Sequence, residues 1–275
     1  MSFKIVQLTD THIPHPYRVQ NDNLNRLERT IAHVNQEIQP QFVMISGDLI
    51  LDHEDGIRGY EDLKGALETL EAPYYLMPGN HDNYEDMKEI FNDHKYLREK
   101  SPYIQYVLED SQWPVSCIAF DTVVDGIDSG RVFEDRLKWL EKRFQECKKP
   151  ILLFMHHPPI SFRTLPQLEE VVFEGKRKRN LDAFFCPGDS DLLAVVKRYP
   201  NVKRLACGHG HFGLEILWGP IPLSVSPSVA PAFFLSEKDN IVIDLGGIVR
   251  KEPGFTLHEW DQKTESLDCS FHFVT

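Results

Sequence analysis

An apolar, β-prone run near the N-terminus ends in an aspartate and a histidine: Lys4-Ile5-Val6-Gln7-Leu8-Thr9-Asp10-Thr11-His12. The same pairing of β-prone residues with metal-ligand side chains recurs along the chain. The later segments are Gly47-Asp48, Gly79-Asn80-His81-Asp82, His156-His157-Pro158-Pro159 and Gly208-His209-Gly210-His211. Because neighbouring strands of one sheet end close together, these remote segments are expected to share one pocket.

Amphipathic helices are predicted between the first strands. The first is predicted from apolar residues spaced by three and four: Leu24, Leu27, Ile31, Val34 and Ile38. Asp22 or Asn23 is its candidate cap. Further strands are predicted at 42–45, 74–77, 103–108, 115–120, 151–155 and 205–207, and further helices around 63–70, 137–144 and 192–199. This alternation predicts an α/β sheet covered by helices.

The chain of 275 residues shows no internal repeat and no long linker, which predicts a single domain over 1–275. Its C-terminal part, 213–275, is β-rich, with strands predicted at 214–218, 221–225, 240–245, 255–260 and 267–273. The segment 158–189 has scattered prolines, no clean periodicity and the basic run Lys176-Arg177-Lys178-Arg179. A loop of this length predicts a lid over a site, and a solvated surface excursion is the alternative.

Composition limits the partners of the chain. It is 41% hydrophobic and 26% charged, as expected of a soluble globular protein, and its net charge is −12. Such a surface repels duplex nucleic acid, whereas a small phosphate ester stays compatible because metal ions reverse the local charge. No apolar run approaches the ~20 residues of a membrane helix. The N-terminus lacks a signal-peptide pattern and the five cysteines form no Cys-x-x-Cys pair, so free thiols in the cytoplasm are predicted.

The ligand types predict a site for divalent cations. Carboxylate oxygens suit hard cations, and imidazoles suit Zn, Fe and Mn. Asp48 is the candidate bridging ligand, because the preceding Gly47 permits a tight turn. Asp10 and His12 are expected to alternate along an extended segment, and His209 and His211 have the same spacing.

The ordered set Asp-x-His, Gly-Asp, Gly-Asn-His-Asp, His and Gly-His-x-His resembles the pattern of the calcineurin-like metallophosphoesterases over roughly residues 3 to 260. Within that superfamily the chain is most similar to bacterial class III cyclic nucleotide phosphodiesterases and related glycerophosphodiesterases. The His-His-Pro-Pro form at 156–159 and Pro253-Gly254-Phe255 fit that branch. The resemblance implies a four-layer α-β-β-α sandwich with two mixed sheets.

The resemblance also implies a pair of divalent metal ions, with Mn, Fe, Zn and Co as candidates. It implies one metal bound by four side chains: Asp10, His12, Asp48 and His211. It implies a second metal bound by Asp48 and three others: Asn80, His156 and His209. His156 is chosen over His157 because it directly follows the apolar strand. His157 has two possible roles. Its ring either contacts a metal ligand or is merely oriented by the following prolines.

The implied reaction is hydrolysis of a small phosphodiester by a hydroxide that bridges the two metals. Asp48 is the protein ligand that both metals share. His81 is the implied general acid for the leaving alkoxide, and Asn80 and His81 are implied to contact the substrate. Asp82 either fixes the tautomer of His81 or stabilises the turn. A 3′,5′-cyclic nucleotide is the favoured substrate, and glycerophosphodiesters or a broader range of diesters are the alternative. A phosphomonoesterase is less favoured, and so is a non-catalytic scaffold, since every expected ligand position is filled.

The chain departs from its relatives after the second segment. The run Gly47-Asp48-Leu49-Ile50-Leu51-Asp52-His53-Glu54 shifts the polar residues that relatives carry near the substrate, so those contacts are not transferred. Arg18, His53 and Arg163 are candidates near a substrate, although surface positions are favoured for each. The β-rich tail from Ile241 onward is a candidate for pairing in a homo-oligomer.

Overall fold

A computed structural model describes residues 2–14, 22–51, 56–98, 101–161, 186–231, 242–243, 247–248 and 251–275. Its strands, in chain order, are β1 Phe3–Leu8, β2 Phe42–Ser46, β3 Tyr74–Met77, β4 Tyr106–Leu108, β5 Ser116–Phe120, β6 Ile151–Met155, β7 Val202–Cys207, β8 Leu214–Trp218, β9 Ile221–Val225, β10 Val242–Ile243, β11 Gly247–Ile248, β12 Gly254–Asp261 and β13 Ser266–Phe273. Its α-helices are α1 Asn23–His33, α2 Gly56–Leu67, α3 Tyr84–Ile90, α4 Glu134–Glu146 and α5 Asp189–Val196.

Two mixed sheets organise the described part of the chain. The first sheet has the strand order β13-β12-β1-β2-β3, and the second has the order β4-β5-β6-β7-β9-β8. Strands β1, β2 and β3 run parallel, as do β5, β6, β7 and β9. In each parallel set the carboxyl ends of the strands therefore lie at one edge of the sheet, where ligands bind in α/β proteins.

The alternation of side chains along β6 shows how the layers pack. Leu153 and Met155 belong to a hydrophobic cluster that joins one face of the second sheet to α4 and α5. Leu152 and Phe154 belong to another cluster, which also contains the first sheet, α1 and α2. Because successive strand residues point to opposite faces, the second sheet is buried on both sides. The predicted α/β sandwich of two mixed sheets with flanking helices is confirmed.

Polar bonds also cross between the two sheets. The hydroxyl of Tyr106 donates to the carbonyl of Leu76 at 2.7 Å, and the amide of Gln7 donates to the carbonyl of Cys207 at 3.1 Å. Both pairs are buried, so each bond satisfies groups that would be costly to leave unpaired. These contacts fix the offset of the two sheets and hence the relation of their carboxyl edges.

The first helix differs in detail from its sequence prediction. It continues into a π-helical turn, Val34–Ile38, that ends at Gln39 in the left-handed conformation. The N-cap residue is Asp22, one of the two predicted candidates, but its side chain makes no capping bond to the helix backbone. The Asn23 amide instead donates to the carbonyl of His12 at 2.8 Å, which ties the helix start to the loop after β1.

Two further elements differ from prediction. Helix α3 has no predicted counterpart, although Asn83 caps it by accepting from the N–H groups of Glu85 and Asp86. Strand β4 is shorter than predicted, because the N–H of Ile104 donates to the Asp121 carboxylate. The predicted strand at 240–245 is described only at 242–243, where β10 lies.

The cysteines are free thiols as predicted, and Cys117 and Cys207 are buried. None of the helices in the described ranges has both the length and the apolar character needed to span a bilayer.

Candidate metal centre

The predicted ligand side chains converge where the two carboxyl edges meet. They follow five parallel strands: Asp10 and His12 come after β1, Asp48 after β2, Asn80 after β3, His156 after β6, and His209 and His211 after β7. Except for Asn80, which is half-buried, all of them are buried. The sequence expectation that remote segments share one pocket is therefore met by the fold.

Most of these residues have unusual backbone conformations. Five of them have positive φ angles: Asp10 (51°), His12 (43°), Asp48 (50°), His209 (64°) and His211 (58°). A non-glycine residue in this region costs on the order of 1–3 kcal/mol and persists only where the surroundings enforce it. The expected extended conformation at Asp10 and His12 is wrong, since both residues are left-handed. Such strain concentrates at functional sites.

Backbone hydrogen bonds enforce these conformations. The N–H of Asp10 donates to the carbonyl of Gly47 at 2.9 Å, and the N–H of His12 donates to the carbonyl of Asp48 at 3.0 Å. Gly47 has a φ of 99°, and a Cβ there would lie 2.5 Å from Nδ1 of His156. Glycine is thus required at 47 both for the predicted tight turn and for the approach of the imidazole.

The Asp48 carboxylate lies between histidines from several strands. Its Oδ1 is 3.3 Å from Nε2 of His156 and accepts the N–H of His81 at 3.0 Å. Its Oδ2 is 3.5 Å from Nε2 of His12 and 3.9 Å from Nδ1 of His209. This one carboxylate thus lies within 4 Å of imidazoles that follow β1, β6 and β7, as a bridging ligand would.

The Asp10 carboxylate serves a second group of histidines. Its Oδ1 is 3.2 Å from Nε2 of His211 and 4.0 Å from Nε2 of His12, and the two Nε2 atoms are 3.1 Å apart. Its Oδ2 accepts from the hydroxyl of Thr9 at 2.7 Å and from the N–H of His209 at 2.9 Å. One oxygen is therefore fixed by the protein, while the other faces the imidazoles.

Backbone carbonyls orient two of the imidazoles. Nδ1 of His156 donates to the carbonyl of Ser46 at 2.8 Å, and Nδ1 of His211 donates to the carbonyl of Pro231 at 3.1 Å. A carbonyl only accepts, so the proton of each neutral ring sits on Nδ1. In the neutral form of each ring the lone pair on Nε2 then faces the carboxylates, as metal ligation requires. Burial opposes protonation of His156, but the charge of Asp48 raises its pKa to about 9, so this ring must release a proton when a metal binds.

The donor set fits divalent cations. Ligand atoms within 4.8 Å of one another group Asp10 with His12 and His211, and group Asp10 and Asp48 with His156 and His209. Oδ1 of Asp10 and Nε2 of His156 are buried and have no hydrogen-bond partner in the part of the chain that the structure describes. Buried polar atoms without partners are costly, and a cation would satisfy both.

Charge at the site favours ionised carboxylates. Burial alone would raise the pKa of Asp10, but the charge of His211 lowers it to about 2. Burial likewise opposes ionisation of Asp48, and His156 nevertheless brings its pKa well below the usual range. Burial lowers the pKa of His12 to about 3, so this ring is neutral. Anionic carboxylates and neutral imidazole are the forms that bind metal.

His81 lies at the more exposed side of this centre. Its Nδ1 donates to the carbonyl of Leu51 at 2.6 Å, and its ring lies edge-on to that of His12 with centroids 4.8 Å apart. Nε2 is therefore the nitrogen left for a ligand or a substrate. The backbone carbonyl of Leu51, in the run that follows Asp48, is the group that fixes the ring.

Asp82 stabilises the turns rather than the tautomer of His81. Its carboxylate accepts from the N–H of Gly79 at 2.8 Å, from the N–H of Leu49 at 3.1 Å and from the hydroxyl of Tyr60 at 3.0 Å. These bonds join the loops after β2 and β3 to α2. Of the two roles open for Asp82, the contacts support the turn.

A family model decides where the chain belongs. The model for calcineurin-like phosphoesterases matches residues 3–213. The chain is a member of the calcineurin-like phosphoesterase family. Its sequence is 29% identical to a probable glycerophosphodiester phosphodiesterase of Arcobacter nitrofigilis, over 94% of this chain and 89% of the relative. It is 26% identical to the 3′,5′-cyclic adenosine monophosphate phosphodiesterase of Escherichia coli K12, over 84% and 77%.

A solved structure supports the fold of this phosphoesterase. A dimetal phosphatase from Danio rerio superposes with a TM-score of 0.62, covering 99% of each chain at 11% sequence identity. At this identity the likeness shows the fold alone. Together with the family match, it confirms the predicted superfamily and the predicted sandwich.

Some predictions for this phosphoesterase lie outside the described residues. They are Arg18, His53, Arg163, the basic run at 176–179 and most of the predicted lid, since 162–185 is not described. Conversely, the sequence analysis did not single out Thr122, which lies just after β5 and contacts His157. The Asp121-Thr122 pair at a further strand end was the available signal, but a threonine is common in such turns.

Proposed function

We propose that this phosphoesterase is a metal-dependent phosphodiesterase of small diesters, with 3′,5′-cyclic nucleotides as its substrates. The placement of Asp48 between two groups of histidines is the observation that carries the proposal. The names of its relatives support diester hydrolysis, since both the Arcobacter and the Escherichia proteins are phosphodiesterases by name. In the same proposal the enzyme acts in the cytoplasm on a small molecule and not on duplex nucleic acid, as its net charge of −12 favours.

The ligand assignment is the one that the family resemblance implies, and the grouping of Asp10 and Asp48 with the histidines supports it. One cation would be held by Asp10, His12, Asp48 and His211, and a second by Asp48, Asn80, His156 and His209. When bound, a pair of divalent cations supplies a water of lowered pKa and positive charge for the phosphate oxygens. Mn, Fe, Zn and Co are all compatible with this mixture of carboxylate, amide and imidazole ligands.

The chain's own residues would orient the diester and supply a proton. His81 is half-buried beside Asp48, and its Nδ1–H stays bonded to the Leu51 carbonyl. In its imidazolium form it donates the Nε2 proton to the leaving alkoxide oxygen as the P–O bond breaks. The ring is then neutral with its remaining proton on Nδ1. General acids of this kind contribute about 10²–10⁴-fold to rate.

One observation favours glycerophosphodiesters as the second candidate. The probable glycerophosphodiester phosphodiesterase aligns over 94% of this chain, more than the 84% of the cyclic nucleotide enzyme. Both substrates need the same metal centre and the same acid. They differ only in the group beyond the phosphate, which must be recognised by residues at the rim of the site.

A turnover panel tests the proposal. The Mn-loaded enzyme would be assayed with cyclic AMP, cyclic GMP, 2′,3′-cyclic nucleotides, glycerophosphoethanolamine and a phosphomonoester. We expect the highest kcat/KM for a 3′,5′-cyclic nucleotide, at least about tenfold above the monoester, a ratio that one pocket can reach. A preference for glycerophosphoethanolamine would select the second candidate. A preference for the monoester would contradict diester hydrolysis as the function.

A further inference from the structure

His157 is a buried imidazole beside the candidate metal centre that the family pattern does not use. It follows His156 at the end of β6, and both of its nitrogens have polar neighbours. Nδ1 is 2.9 Å from the hydroxyl oxygen of Thr122. Nε2 is 3.1 Å from Oδ1 of Asn80 and 3.1 Å from the backbone carbonyl oxygen of Asp128.

These neighbours determine which nitrogen carries the proton. The carbonyl of Asp128 only accepts, so Nε2 must donate and the ring is the Nε2–H tautomer. Nδ1 then accepts from the hydroxyl of Thr122. Thr122 is itself fixed, since its own carbonyl accepts the N–H of Arg131 at 2.8 Å and closes the loop after β5.

Packing prevents the ring of His157 from turning away. A Cβ on Gly130 would lie 2.5 Å from Cγ of His157, so the loop backbone presses directly on the imidazole. On the other side its centroid is 4.6 Å from that of His209 and 4.8 Å from that of His156. The ring is fully buried, and its donor is held in place toward Asn80.

Asn80 needs such a partner. Its side-chain amide can present either the oxygen or the NH₂ group to the centre, and only the oxygen binds a cation. Because the Nε2–H of His157 is a fixed donor, Asn80 turns its amide oxygen, and not its NH₂ group, toward His157. An amide oxygen has two lone pairs, so it can accept from His157 and still bind a cation.

We propose that His157 is a positioning residue that orients the amide oxygen of Asn80 for the second cation. The inference rests on the proposed function, because it assigns His157 a role through Asn80 at that site. The ligand atoms of His157, His156 and His209 lie within 4.8 Å of one another. The inference nevertheless gives His157 no ligand role, because Nε2 donates its proton to two acceptors and Nδ1 accepts from Thr122. Replacing a residue that hydrogen-bonds to a metal ligand typically lowers metal affinity by about 10- to 100-fold.

Calorimetric titration of the metal-free protein with Mn²⁺ tests the role without measuring turnover. Wild type is expected to bind two ions. His157→Leu removes both nitrogens, and we expect one affinity to fall by about 10- to 100-fold and the other to change by less than about twofold. His157→Gln places an amide N–H near the position of Nε2 and is expected to recover most of the lost affinity. Thr122→Val should weaken the same site, whereas the control Thr122→Ser keeps the hydroxyl and the affinity.

A double-mutant cycle tests whether His157 acts through Asn80. In an Asn80→Ala background, His157→Leu should weaken the remaining affinities by less than about twofold, because the group that His157 orients is gone. Thermal melting of each metal-free variant checks that it is folded, and if His157→Leu does not fold, the two Thr122 variants decide.

The outcomes separate the two claims. Fewer than two ions in wild type would overturn the proposed metal centre and this inference with it. Two ions in wild type with both affinities unchanged in a folded His157→Leu or Thr122→Val variant would overturn the inference alone. Equal losses in His157→Gln and His157→Leu would show that His157 ligates the metal itself, and equal weakening of both sites would show a general structural role.

Discussion

Asp48→Ala is expected to lower the cation affinity of both sites by more than about 100-fold. This exceeds the usual effect of losing a residue that only hydrogen-bonds to a metal ligand. The reason is that this one carboxylate lies within 4 Å of His12, which is assigned to the first cation, and of His156 and His209, which are assigned to the second. Because bound cations contribute several kcal/mol to such reactions, the loss of both predicts a fall in kcat of at least about a thousandfold. Mn²⁺ titration and steady-state kinetics on the same preparation would measure the two effects.

One control variant and one single-site variant are compared with Asp48→Ala. Asp268→Ala removes an exposed aspartate on β13 and should leave metal content and rate unchanged. Asn80→Ala should chiefly weaken the second cation, since Asn80 lies beside His157 on the side of β3 and β6. Unchanged metal content in Asp48→Ala would contradict the bridging assignment, whatever the effect on turnover.

His81→Ala is expected to separate substrates by their leaving groups. A phenol with an acidic hydroxyl leaves without a proton, whereas an alkoxide requires one. Loss of the acid should therefore lower kcat by about 10²–10⁴-fold for alkyl diesters and by less than about tenfold for bis(p-nitrophenyl) phosphate. The comparison uses one protein preparation and two substrates, so protein concentration and folding cancel.

Metal content controls the interpretation of His81→Ala. A ligand atom of His81 lies within 4.8 Å of those of His12 and Asp48, so a ligand role has to be tested beside the acid role. We expect the variant to retain two cations. Equal losses on both substrates, or the loss of a cation, would remove His81 as the general acid.

The sequence alone was sufficient to predict the strands that position the site. Strands β3 and β6 begin and end at the predicted residues, Tyr74–Met77 and Ile151–Met155, because each is a short apolar run flanked by proline or by polar ligands. The order of the motifs identified the family, which the match over 3–213 confirmed. Periodicity was less informative at α3, a helix of seven residues whose local signals were the cap Asn83 and the acidic first turn, Glu85 and Asp86.

Backbone conformation and backbone acceptors could not be predicted in the same way. Asp10 and His12 can present their side chains together from an extended or a left-handed segment, and only the bonds to the loop after β2 select the left-handed one. The carbonyl of Leu51 orients His81, but any residue type at position 51 would supply a carbonyl. Thr122 gains its contact to His157 from strand order in the second sheet, which residue spacing does not specify.

The count of metal ions per chain tests the central claim most directly. The protein would be stripped with a chelator, which should abolish activity, then reloaded with Mn²⁺, desalted and measured by elemental analysis together with its turnover of a diester. The convergence of Asp10, Asp48 and their histidines predicts two ions per active chain. One ion or none on a preparation that hydrolyses the diester at full rate would contradict it.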